Sequence, residues 1–172
     1  MSELLRLRGV AVLTEGHESL SGVELVVAEG VCTVIMGPSG SGKSTLLKVA
    51  AGLIPPDRGT VTLHGDDFDS LGERRLLEFR RTNGFVFQDG ALWENTTIFD
   101  NLALPLRIHF PELGAERIRT RVLELLERGG LADSAALRPA QLSGGERKIA
   151  SFLRAAVTEP RVVFLDEPTL SI

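Results

Sequence analysis

The chain has 172 residues, 43% of them hydrophobic and 24% charged, with a formal net charge of −4. That balance excludes a disordered chain and disfavours a surface built for nucleic acid, which needs a basic field. A lone cysteine, Cys32, excludes an internal disulfide framework, and no apolar run reaches the length that spans a bilayer. The start, MSELLRLRGVAV, has no long apolar core behind a basic segment and does not read as a secretory signal. A soluble protein of a reducing, cytoplasmic setting is expected, with any membrane role supplied through a partner.

Alternating Leu5, Leu7 and Val12 predict a first strand, and VELVVAEG predicts a second that turns at Glu29-Gly30. The apolar run from Val31 to Met36 predicts a buried strand, with Cys32 inside it as a small hydrophobe. GPSGSGKST follows, and STLLKVAAGL predicts a helix that stops at Gly52 ahead of Pro55-Pro56. GTVTLHG predicts a short strand, ERRLLEFRR a helix and GFVFQ another buried strand. From about 98 to 158 the pattern becomes helical. There ERIRTRVLELLER sets Ile118, Val122, Leu125 and Leu126 at helical spacing, and LSGGERKIASFLRAAV opens on glycines. RVVFLDEP predicts a strand ending in two carboxylates. Strands alternating with helices predict one α/β domain over residues 1–172. Its central sheet is mostly parallel, with an antiparallel β element on the N-terminal side and a helical subdomain inserted at about 98–158.

The segment Gly37-Pro38-Ser39-Gly40-Ser41-Gly42-Lys43-Ser44-Thr45 has the spacing of a phosphate-binding loop between strand and helix. Backbone N–H groups wrap a polyphosphate at close range, where a Cβ would block the approach; Gly37, Gly40 and Gly42 keep it open. The helix that follows points its positive end at the phosphates, Lys43 adds a full charge, and the Ser44 hydroxyl suits Mg²⁺. Asp166 and Glu167 end a strand where ligands bind in open α/β sheets. Asp166 is positioned to hold Mg²⁺ through water and Glu167 to polarise an attacking water. Ser143, Gly144 and Gly145 open a helix and make either a second anion site or an ordinary cap.

Taken in order, GPSGSGKST, Gln88 after a strand, LSGGE and VVFLDEP resemble the nucleotide-binding domain of ABC transporters over nearly the whole chain. The resemblance implies a P-loop NTPase fold, ATP and Mg²⁺ as ligands, and a head-to-tail pair of domains with two ATP molecules between them. It implies that Lys43, Ser44, Thr45, Gln88, Asp166 and Glu167 act on one nucleotide, while Ser143 and Gly145 close on the partner's. Gln88 becomes the Q-loop residue, which contacts Mg²⁺ and reports to an integral membrane permease. The stretch DGALWENTTIFDNLALPLR is similar to ATPase subunits of Mce-type bacterial lipid transport systems, with FQ-x-GAL followed by an asparagine and a PLR segment. Phospholipid is then the implied cargo and the inner face of the cell membrane the implied location. Leu92, Trp93 and Phe99 either line the groove for a permease helix or belong to the core.

The sequence departs from the family in four places. Glu146 replaces the commoner glutamine of the signature, and Ile149 stands where an arginine is usual. Thr14 falls near the usual adenine-stacking aromatic, with Leu13 or an apolar patch left as substitutes. The chain stops at PTLSI, one residue short of the D-loop aspartate, and His17, His64 and His109 lie too early to serve as the switch histidine. The missing D-loop and switch histidine leave a further reading, a module that binds nucleotide without hydrolysing it. A soluble ATPase of the superfamily not linked to transport is a third, since fold analogy guides cargo weakly.

Overall fold

A computed structural model describes residues 3–14, 16–63 and 65–168, and the chain divides into two compact units, 1–80 and 81–172. In the first unit β1 (Glu3–Thr14) and β2 (His17–Ala28) form a long antiparallel hairpin, and β3 (Arg58–Leu63) pairs antiparallel with the other edge of β1. A two-residue β4 (Asp66–Asp67) completes a sheet of order β2-β1-β3-β4. Leu5, Leu7, Val10 and Val12 of β1 are buried with Val61 of β3; Leu5 and Leu7 follow the alternation, and an irregularity in the pairing between Leu7 and Val10 shifts it by one residue. Helix α1 (Lys43–Ala50) buries Leu46, Val49 and Ala50 and lies against β1 and β2. Gly52 ends it at φ +66, where a Cβ would stand 3.2 Å from both the Phe68 and Phe79 rings. Phe79 belongs to α2 (Glu73–Arg81) and packs on Phe68 at 4.6 Å between ring centroids.

The run from Val31 to Met36 departs from expectation. It carries no regular secondary structure, and Val31, Val34 and Met36 are 47%, 73% and 88% exposed. Cys32 is likewise exposed, not the buried hydrophobe its neighbours imply. Apolar composition marks a strand that two neighbours and two covering layers would stabilise. It supplies none of those partners, and an unpaired segment gains nothing from the ladder.

In the second unit β5 (Asn83–Val86) and β6 (Val162–Leu165) pair in parallel, Val86 opposite Leu165. Among the described residues these two strands are the whole parallel part of the fold, narrower than the pattern predicts. Helices α3 (Ile98–His109), α4 (Gly114–Arg128) and α5 (Gly144–Ala156) bury Ile98, Leu102, Leu106, Val122, Leu126 and Ala150 in one cluster. Thr97 caps α3, its Oγ1 accepting from the Asp100 amide at 3.0 Å. Gly84 lets β5 run close along α5, since a Cβ there would meet the Ala155 carbonyl oxygen at 2.6 Å.

Candidate nucleotide site

In the first unit, Gly40 and Gly42 hold φ +78 and +86, a region closed to most side chains. A Cβ on Gly42 would stand 2.4 Å from the Ser19 carbonyl oxygen, so this turn requires glycine on two counts. Gly42 also caps α1 and accepts from the Leu46 amide at 2.8 Å. The Lys43 ammonium folds back across the loop and donates to the carbonyls of Gly37 at 3.0 Å and Pro38 at 2.8 Å. One full positive charge therefore sits over the loop spanning Gly37, Pro38, Ser39, Gly40 and Ser41. No acidic residue lies in the first turn of α1, which leaves the positive end of the helix uncompensated there. Ser44 and Thr45 occupy that turn, half-buried.

In the second unit the parallel register brings Gln88 and the carboxylate pair to the same end of two adjacent strands. The Asp166 amide donates to the Val86 carbonyl at 3.0 Å, extending the ladder one step past β6. Asp166 is 4% exposed. Glu167, half-buried, holds φ +47, a left-handed conformation that costs a residue with a side chain about 1 kcal/mol or more. Gln88, two residues beyond Val86, is exposed.

Ser143 caps α5, with Gly144 and Gly145 as its first residues. Its amide and hydroxyl donate to Glu146 Oε2 at 2.8 and 2.6 Å, and the Glu146 amide donates to Ser143 Oγ at 3.2 Å. This reciprocal pair is the capping box. Hydrogen bonding from the Ser143 hydroxyl, and then from its amide, holds the Glu146 carboxyl below its ordinary range. Further along α5, Lys148 Nζ donates to the Gln88 carbonyl at 2.8 Å and Ser151 Oγ to the Gly90 carbonyl at 2.8 Å. Arg154 donates to the carbonyls of Gly90 at 3.0 Å and Ala91 at 2.5 Å. Burial lowers the Arg154 pKa, against the pull of Asp89. These three residues are missing from the sequence reading; their signal is a polar residue at every third position of a helix that otherwise buries Ala150 and Leu153.

Leu92 and Phe99 are half-buried and pack against the helical cluster, whereas Trp93 is 60% exposed. The family model described as "ABC transporter" matches residues 20–170. The chain belongs to the ABC transporter family. Among its relatives is the intermembrane phospholipid transport system ATP-binding protein MlaF of Haemophilus influenzae, 43% identical over 85% of this chain and 55% of that protein. MlaF of Escherichia coli K12 is 38% identical over 98% of this chain and 62% of that protein. The methionine import ATP-binding protein MetN of Caulobacter vibrioides is 41% identical over 91% of this chain and 47% of that protein. The chain thus spans between 47% and 62% of the length of these relatives. Its fold matches the dimeric, post-hydrolysis structure of the ATP-binding cassette MJ0796 bound to ADP and Pi, with a TM-score of 0.89 and 34% identity. That match covers 98% of this chain and 76% of the cassette, so the fold is the α/β P-loop NTPase fold of ABC cassettes.

Proposed function

We propose that this chain is the ATP-binding and ATP-hydrolysing part of a subunit that powers an ABC membrane transporter for phospholipid. The observation that carries the reading is the pair Asp166-Glu167 leaving β6 beside Gln88 in a chain that also holds a glycine loop closed by Lys43. Gly37 to Thr45 would cradle the triphosphate through backbone N–H groups, with Lys43 against its β- and γ-phosphates. Ser44, Gln88 and Asp166 each offer an oxygen donor, and Asp166 is buried at the end of its strand. Such donors suit Mg²⁺, which would neutralise charge building between the β- and γ-phosphates.

Glu167 would take a proton from water as the water oxygen bonds to the γ-phosphorus and the bond to the β–γ bridging oxygen breaks. Its strained backbone supports that role, since such strain collects at functional positions. Ser143, Gly144 and Gly145 would close on the nucleotide held by a second copy or a paired cassette. Trp93, exposed beside the helical cluster, would meet the permease, so the subunit would sit at the inner face of the membrane through that partner. No helix among the described residues is long and apolar enough to cross it.

The test is Glu167→Gln in the full-length protein. Phosphate release should fall at least about a hundredfold, with ATP still bound and a nucleotide-dependent dimer accumulating on gel filtration. Hydrolysis at the parental rate would remove Glu167 as the base. ATP binding by the parent without any turnover would favour the non-hydrolysing module instead.

A further inference from the structure

Lys148, Ser151 and Arg154 of α5 all direct donors at one short loop, and every acceptor is a main-chain carbonyl: Gln88, Gly90 and Ala91. Lys148 is 9% exposed and Ser151 fully buried. Burying an ammonium is unfavourable unless it finds acceptors, so an apolar residue at Lys148 would be the cheaper way merely to pack this face. These donors grip a loop whose backbone is strained. Gly90 is at φ +79 and Ala91 at φ +46, the latter a residue with a Cβ in the left-handed region. The Asp89 carboxylate receives the Ala91 amide at 3.1 Å, and the Gly90 amide bonds the Phe87 carbonyl at 2.9 Å, closing the turn. Because only carbonyls are gripped, the Gln88 side chain itself stays exposed.

We propose that Lys148, Ser151 and Arg154 are positioning residues that set where Gln88 stands and tie it to the helix whose first turn is Ser143-Gly144-Gly145. The helix is thirteen residues of continuous α-helix, a stiff link between its capped end and the gripped loop. A displacement of the signature turn therefore carries Gln88 with it, and a loosened grip misplaces Gln88 without touching the phosphate loop. This rests on the reading that Gln88 acts at the nucleotide.

Two readouts on full-length Lys148→Met test it; the substitution keeps the aliphatic stem and removes the donors. Hydrogen exchange of nucleotide-free protein should show the Gly90 amide exchanging about tenfold faster, and kcat for ATP should fall by about tenfold with KM within about twofold. Lys148→Arg should restore most of both. If Lys148→Met does not fold, Ser151→Ala, which removes one hydroxyl, should show the same pattern more weakly. Parental exchange at Gly90 would overturn the grip. Faster exchange with unchanged kcat, or a lowered melting temperature alone, would reduce it to a fold staple and overturn the positioning role. A parent that does not hydrolyse ATP would defeat the proposed function instead, while the exchange measurement still decides the grip.

Discussion

Ser143 Oγ donates a hydrogen bond to Glu146 Oε2 at 2.6 Å, and the Glu146 amide returns a hydrogen bond to the same Oγ at 3.2 Å. The glutamate that replaces the family's usual glutamine is thereby the acceptor for the signature serine. Its folded pKa lies below the ordinary 4.5, so its contribution to stability is full above that value and is lost as pH falls through the folded pKa. Wild type should therefore lose more melting temperature than Glu146→Gln between about pH 6 and pH 3. Parallel pH curves would show that the carboxylate contributes nothing. At neutral pH Ser143→Ala, which removes the cap, should cost about 1 kcal/mol, read as a shift of about 2–4 °C.

Gly42 is held at φ +86, with the Ser19 carbonyl where a Cβ would go. Gly42→Ala should lower stability by roughly 1–3 kcal/mol in denaturant melts and weaken nucleotide binding with it, because the turn that aims α1 must shift. Gly40→Ala shares the positive φ but meets open space, so its cost should be smaller. Equal effects would mean that the close approach at Gly42 is without consequence.

Asn101, 1% exposed, shares the two hydrogens of Nδ2 among Trp93 O, Thr96 Oγ1 and Thr97 O at 2.9–3.1 Å and accepts from the Trp93 amide at 2.8 Å. It fastens the segment before α3 from inside the helix. Asn101→Leu leaves the Trp93 main chain without its partner and should cost about 1–3 kcal/mol, measured by thermal or urea unfolding. Stability equal to wild type would mean that water replaces every one of these bonds.

Much of this is legible in the sequence because the signals are local. The turn at Gly37 to Gly42, the apolar spacing of Ile118, Val122 and Leu126, and the Ser143 cap each follow from chain geometry within a few residues. The run from Val31 to Met36 misleads because its composition reports what a central strand needs and says nothing about whether neighbours pair with it. Lys148, Ser151 and Arg154 escape notice for the opposite reason. Polar residues on a helix ordinarily face water, and only the fold reveals that the carbonyls of Gln88, Gly90 and Ala91 lie opposite them.

The central claim is that the loop beginning at Gly37 holds a triphosphate through its main-chain amides and Lys43. Titration calorimetry of the folded protein with Mg²⁺ and ATP tests it most directly. Saturable heat at one site per chain is predicted for wild type, and its loss in Lys43→Ala at unchanged melting temperature. No heat with wild type, or equal heat with Lys43→Ala, would contradict it.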